Sequence, residues 1–252
     1  MEQLGTAVAE LFGRIAAVQP PLELGTLAVT VAIAVLCVLL GPIWRVARHG
    51  VTIIHEAGHG LGATLTGRRL AGIRLHSDTS GVTVSVGRPR GFGMGVTLIG
   101  GYTAPALVGL GAAWLIGIGH AVGLLWALLG MLLLVLVQIR NWFGLWTVLL
   151  AGFGVFALTW WLPSPWQSIA ATAVSAFLLV AAVRTVFELQ GARRRERSGD
   201  TDADQLGRIS STPPILWVGV FLVIALGAAL VGGALLLRLP LSVALPELPP
   251  LP

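Results

Sequence analysis

Residues 51–60 read VTIIHEAGHG and place His55, Glu56 and His59 inside a stretch of apolar and small residues. This pattern predicts a helix, on which positions 55 and 59 lie one turn apart on the same face. Two imidazoles with that spacing can bind one zinc ion, and the adjacent Glu56 is in position to accept a proton from water. These polar groups are costly in lipid unless they act together, which favours a metal site over a solvated helix face.

The composition places this motif in a membrane protein. The chain has 252 residues, of which 56% are hydrophobic and 11% are charged, and several apolar runs exceed the ~20 residues that cross a bilayer. Its 16 basic residues are all arginines. In a membrane protein, an excess of positive charge indicates orientation and lipid contact rather than binding to nucleic acid. The single cysteine, Cys37, excludes an intramolecular disulfide and a multi-thiolate zinc site, so the ligands must be histidines or carboxylates.

Hydropathy predicts an all-α polytopic membrane protein with six to seven transmembrane helices and a short β-hairpin after the H-E-x-x-H helix. The hairpin is expected over 70–87, where apolar and polar residues alternate on both sides of a polar turn. The apolar spans, judged by length, cover 24–42, 50–66, 94–118, 120–139, 142–161, 167–189 and 214–237.

The whole chain, 1–252, is predicted to form a single integral-membrane domain. Its parts are an amphipathic N-terminal segment, a membrane core that contains the hairpin, a polar loop, a last span and a proline-rich tail. In that order they occupy 1–20, 24–190, 191–213, 214–237 and 238–252.

The arginines predict which side of the membrane the loops face. Five arginines lie in the loop 67–92 and six lie in 184–208, and four predicted spans separate the two loops. An even number of crossings returns the chain to the same side, which the positive-inside rule assigns to the cytoplasm. We therefore expect a multi-pass protein of the plasma membrane with 67–92 and 191–213 in the cytoplasm. The side of the N terminus stays open, because 50–66 either crosses the membrane or dips in and returns.

The H-E-A-G-H motif at 55–59, the basic turn after it and the hairpin residues 72–76 and 80–83 resemble the site-2 protease family of intramembrane zinc metallopeptidases. The likeness is to a compact bacterial, actinobacterial-like branch without appended domains. It is firm over 45–107, which includes the Gly100-Gly101-Tyr102 stretch, and weaker near 138–144 and 202–206. The resemblance implies a metalloprotease with one zinc ion and a hairpin that holds the substrate strand extended.

The same resemblance implies the roles of the site residues. Glu56 is the catalytic residue, and His55 and His59 are metal ligands. The substrate-binding residues are expected in the hairpin, at Ile73, Leu75, Val82 and Val84.

A catalytic zinc takes three protein ligands, so a further donor is needed. Family members usually supply an aspartate from an N-x-x-P-x-P-x-L-D-G motif, which this chain lacks, although Asn141 stands in a comparable place. We choose Asp202, because T-D-A-D-Q-L at 201–206 resembles a short acidic motif that precedes the last span in this branch. Asp204 and Asp78 are the alternatives. These aspartates also have explanations without metal. The acidic run that contains Asp202 and Asp204 balances nearby arginines, and Asp78 lies in a turn in which its side chain can bond the backbone.

The predicted function is hydrolysis of peptide bonds in or near transmembrane segments of membrane protein substrates. The partners are such a substrate and the lipid bilayer, without nucleic acid; the oligomeric state and the substrate's identity stay open. The alternatives are a non-proteolytic membrane scaffold, as a degenerate relative, or a transporter that uses the histidines. Intact Glu56 counts against degeneration, because a scaffold needs the fold but not the base.

The arginine distribution leads to a test of topology. In a Cys37→Ser background, single cysteines at Ser77 and Asp200 should react with a membrane-impermeant thiol reagent only after the cells are opened. A cysteine at Ser164, between two spans without arginine nearby, should react in intact cells. Reaction of the Ser77 and Asp200 positions on opposite sides would contradict the count of four intervening spans.

Overall fold

A computed structural model describes residues 2–195 and 199–239 of the chain. The helices and strands, in chain order, are α1 (Glu2–Ala16), α2 (Leu24–Leu39), α3 (Gly41–Leu65), β1 (Arg69–Leu75), β2 (Gly81–Val86), α4 (Phe92–Gly117), α5 (Ala121–Gln138), α6 (Trp142–Trp161), α7 (Ser164–Arg195), α8 (Asp202–Ser210) and α9 (Pro214–Leu236). Most of the predicted tail, from residue 240 onward, and residues 196–198 of the predicted polar loop lie outside the described residues.

The predicted all-α polytopic fold with a β-hairpin is confirmed. The helices α4, α5, α6, α7 and α9 are long and apolar enough to cross a membrane, and α2 with α3 forms a further candidate span that bends by 97°. Pro42 lies in the first turn of α3, where a residue without an N–H is tolerated. Arg184 of α7 donates a hydrogen bond to the carbonyl of Val38. The bend therefore leaves the Val38 carbonyl at the end of α2 without a partner in its own helix, and Arg184 serves as its cationic donor.

The two strands form the predicted hairpin, with Ile73 opposite Thr83 and Leu75 opposite Gly81. The outer edge of β1 is covered by the connection between α5 and α6. There the N–H of Arg140 donates to the carbonyl of Ile73 at 2.9 Å, and the side-chain amide of Asn141 donates to the carbonyl of Leu75 at 2.7 Å. Among the described residues, β2 pairs only with β1, so its other edge is open.

Helix α4 lies at the centre of the fold and packs against α3, α7 and α9. Glycines let the backbones of α3 and α4 meet, as small residues do between membrane helices. A Cβ on Gly58 would stand 2.2 Å from the carbonyl oxygen of Gly100, and a Cβ on Gly62 would stand 2.8 Å from that of Val96. No larger residue fits at Gly58 unless the two helices move apart.

The segment predicted as a polar loop over 191–213 differs from that expectation, because α7 continues to Arg195 and α8 forms inside it. Thr201 caps α8: its hydroxyl accepts from the N–H of Asp204 and donates to the Asp204 carboxylate. Ala203 and Leu206 on one face are buried in the main core cluster. The reciprocal cap and the apolar pair explain why a sequence rich in charge forms a helix that folds back onto the bundle.

The contact between α3 and α4 predicts an asymmetry between two glycines of α3. Gly58→Ala should destabilise the protein by about 2 kcal/mol, because the added methyl overpacks a backbone contact. Gly50→Ala, with no atom within 4 Å of its added Cβ, should leave stability unchanged or raise it by up to ~1 kcal/mol through helix propensity. Unfolding of both variants in the same detergent checks this; equal midpoints would contradict the packing argument.

Candidate metal centre and active site

The structure brings together His55 and His59 of helix α3 with Asp202 of helix α8. Asp202 lies 143 positions after His59 in the chain. The Nε2 atoms of the two histidines are 3.0 Å apart. Oδ2 of Asp202 lies 3.2 Å from Nε2 of His59 and 3.5 Å from Nε2 of His55. Adjacent donors around a tetrahedral zinc ion stand roughly 3.3 Å apart, given zinc–ligand distances near 2.0–2.1 Å. The three donor atoms therefore form a triangle of the size that zinc needs.

Helix α4 orients the histidines. Nδ1 of His59 lies 2.7 Å from the carbonyl oxygen of Thr97, and since a carbonyl can only accept, Nδ1 carries the proton. Nε2 consequently faces the other two donors and is the nitrogen left for a metal ion, as in histidines that bind metals. A Cβ on Gly101 would stand 2.4 Å from Cε1 of His59, so a glycine is required beneath the rings. The ring of Tyr102 meets that of His55 edge-on, with centroids 4.7 Å apart.

Asp202 begins α8 and points into the bundle, with 15% of its side chain exposed. Burial favours its neutral form, but the imidazoles of His59 and His55 outweigh burial and hold the pKa of Asp202 well below its usual range. The carboxylate is therefore charged at neutral pH. A carboxylate and two imidazole nitrogens, which bind a metal ion in their unprotonated form, are a donor set that zinc accepts.

Glu56 lies beside this triangle without belonging to it. Its carboxylate is buried, and its Oε2 accepts a hydrogen bond of 2.6 Å from the hydroxyl of Thr83 on β2. A Cβ on Gly81 would stand 2.5 Å from the Oε1 atom, so the hairpin closes over the acid. His55 and Glu56 open onto one polar cavity of about 220 Å³, whose other walls include Arg48, Thr79 and Tyr102.

A family model described as Peptidase M50B-like matches residues 27–232, a range that contains the motif, the hairpin and α8. The chain belongs to this family. No curated protein and no solved structure matches the chain. The membership confirms the resemblance to site-2 proteases. In general terms, the chain is therefore a metallopeptidase of that kind.

The two alternative ligands of this M50B-like peptidase lie outside the triangle. Asp204 pairs with Arg193 at 2.9 Å and accepts from Thr201; these contacts outweigh its partial burial and lower its pKa. Asp78 accepts from the N–H and the hydroxyl of Ser80 within the hairpin turn, and these bonds lower its pKa as well. Both aspartates thus have structural partners of their own: Asp78 bonds within its turn and Asp204 pairs with an arginine, as their explanations without metal predicted.

The structure divides the four hairpin residues predicted to bind substrate. Val82 and Val84 are 48% and 46% exposed. The side chains of Ile73 and Leu75 are buried against apolar residues of α5 and α6, which differs from the expectation that all four contact a substrate. Their burial follows from the apolar faces of those helices and anchors β1, so the substrate-binding role stays a prediction for the exposed pair.

Several residues that shape the site carried no signal of their own in the sequence. Thr83, which bonds Glu56, and Thr97, which orients His59, are ordinary threonines in a strand and a helix. Gly101 and Tyr102 stood within the region of family resemblance but without an assigned role. Thr201 and Asp204 did form a recognisable capping pattern, T-x-x-D, which indicates the start of α8 and so the position of Asp202.

The triangle of donors predicts the effect of removing one ligand. Asp202→Asn, which keeps the shape of the side chain, and His59→Ala should each lose stoichiometric zinc, because a neutral amide is a much weaker zinc ligand than a carboxylate and a methyl group is no ligand. Asp200→Asn makes the same charge change at a side chain that is 80% exposed, and it should retain one zinc per chain. Metal analysis of the purified variants measures this; full zinc in Asp202→Asn would exclude Asp202 as a ligand.

Proposed function

We propose that this chain is an intramembrane zinc metalloprotease that hydrolyses peptide bonds in or near transmembrane segments of membrane protein substrates. The observation that carries the proposal is the triangle of His55, His59 and Asp202 with Glu56 beside it, in a chain of the M50B-like family. When bound, zinc would lower the pKa of a water molecule and polarise the scissile carbonyl.

Glu56 is the residue that fits the role of general base. It is adjacent to a ligand but is not needed as one, and it faces the cavity that contains His55. In that position its carboxylate can accept a proton from water and deliver it to the leaving amine. The bond from Thr83 fixes Oε2, so the hairpin that shapes the cavity also orients the base.

The open edge of β2 supports an extended substrate. A helical substrate hides its carbonyls in i to i−4 hydrogen bonds and must unwind before it can be cleaved. Pairing with a strand edge replaces those bonds, and alternate side chains then contact the hairpin surface. The 139–141 segment covers β1, which leaves β2, with its exposed Val82 and Val84, as the edge for such pairing.

The proposed location is the plasma membrane, with the loops 67–92 and 191–213 in the cytoplasm. Two contacts support a common side for these loops: the hairpin meets Glu56 through Thr83, and α8 meets His59 through Asp202. Both loops therefore reach the same turn of α3. Their arginine content favours the cytoplasmic side of the membrane.

The role of Glu56 leads to a test that separates a protease from a scaffold. Glu56→Gln should keep zinc and lower cleavage at least ~10²-fold, because the base is lost but no ligand is. Glu23→Gln, at an exposed position before α2, is the matched control and should cleave like the unchanged protein.

The measurement uses the full-length protein in liposomes with a library of labelled transmembrane peptides, analysed by mass spectrometry. A chelator should stop cleavage and added zinc should restore it. Undiminished turnover by Glu56→Gln would disprove the assigned role, and zinc-loaded protein that cleaves no member of the library would favour the scaffold.

A further inference from the structure

A second cavity, of about 240 Å³, lies at the end of the bundle where α4 and α9 finish and α7 begins. The metal centre lies toward the other end, beside the first half of α4 and the start of α8. The wall of the cavity is part polar and part apolar, and includes Gln19, Gly117, Ser168, Thr172, Leu236 and Arg238.

A buried hydroxyl in this cavity calls for a polar occupant. Thr172 is 1% exposed, and its Oγ1 has no hydrogen-bond partner among the described residues. Ser168, 5% exposed, lies one turn earlier on the same face of α7 and lines the same cavity. A buried hydroxyl without a partner destabilises the folded protein, because it has lost its hydrogen bonds to water. A ligand that accepts hydrogen bonds from this face of α7 would remove this destabilisation.

Arg238 adds a cation to the cavity wall. It follows the end of α9, where its backbone takes a left-handed conformation with φ of 52° and its N–H donates to the carbonyl of Leu235. A guanidinium together with two hydroxyl donors matches the oxygens of a phosphate group. The polar part of this site therefore suits a phosphate more than a neutral or cationic group.

The cavity adjoins an apolar groove of about 480 Å³ between α2, α7 and α9. Leu27, Leu236 and Leu237 line both spaces, so only these side chains lie between the cavity and the groove. The rest of the groove is lined by aliphatic side chains and a glycine, among them Val31, Leu179 and Gly233. Among the described residues, the groove thus offers water few polar partners and suits a hydrocarbon chain.

We propose that the cavity and the groove together bind one anionic glycerophospholipid from the surrounding bilayer. Its phosphate contacts Arg238, Ser168 and Thr172, and one acyl chain lies along the groove. An inorganic phosphate ion would share the polar contacts but would leave the groove without an occupant. This site is independent of the proposed proteolysis and of the zinc ligands.

The test uses full-length protein, purified in a mild detergent and stripped of lipid. Phosphatidylglycerol and phosphatidylcholine with equal chains, and inorganic phosphate, are titrated separately, and the bound molecules are counted by native mass spectrometry. The unchanged protein should hold one phosphatidylglycerol with at least about tenfold preference over phosphatidylcholine, which carries the same phosphate but whose trimethylammonium group is repelled by Arg238. Arg238→Ala should remove this preference, whereas Arg90→Ala, which removes an exposed arginine elsewhere, should keep it.

A second pair of variants probes the groove without touching the phosphate contacts. Gly233→Leu places a branched side chain in the groove and should weaken binding of both lipids. Gly227→Leu, on the same helix and likewise with open space around its Cβ, should bind both like the unchanged protein. Equal effects of Arg238→Ala and Arg90→Ala, unchanged binding in Gly233→Leu, or inorganic phosphate that binds as tightly as the lipid would each overturn the proposal.

Discussion

The site depends on a direct contact between the backbones of α3 and α4. Gly58 and Gly100 meet with no room for a side chain between them, and this distance fixes the register of one helix against the other. At that register the carbonyl of Thr97 meets Nδ1 of His59, Gly101 lies beneath the two imidazoles, and Tyr102 supports His55. If α3 and α4 moved apart, all three contacts would be lost together, because each joins a histidine of α3 directly to α4.

The second requirement is that a polar segment returns to the bundle. Helix α8 has only nine residues, too few for a stable helix in water by itself. Its buried face against α4 and α9, with Ala203 and Leu206 in the core, holds it in place. The reciprocal bonds between Thr201 and Asp204 then set the first turn, from which Asp202 projects toward the histidines. The same few residues therefore stabilise the helix and direct the Asp202 carboxylate toward the histidines.

The sequence predicted those parts of the molecule that local patterns determine. Apolar length identified the spans, alternation identified the hairpin, and i, i+4 spacing paired His55 with His59. The 97° angle between α2 and α3 was not predicted: Pro42 marks a local break, but the carbonyl of Val38 finds its partner, Arg184, on a distant helix. Likewise, Ile73 and Leu75 alternate with polar residues as strand residues should, but which face is covered depends on α5 and α6. Asp202 was chosen through family resemblance; no spacing rule relates residue 202 to residue 55.

The position of Asp202 in the chain bears on when the proposed metal centre can assemble. Synthesis proceeds from the N terminus, and membrane proteins gain their helices in that order. His55 and His59 enter the growing protein early, but their carboxylate partner lies beyond α7, close to the last helix. A nascent chain that stops before α8 has two of the three donors and cannot close the triangle. Its hairpin and Glu56 are already present by then, so the complete set of three donor residues is among the last features that the growing polypeptide acquires.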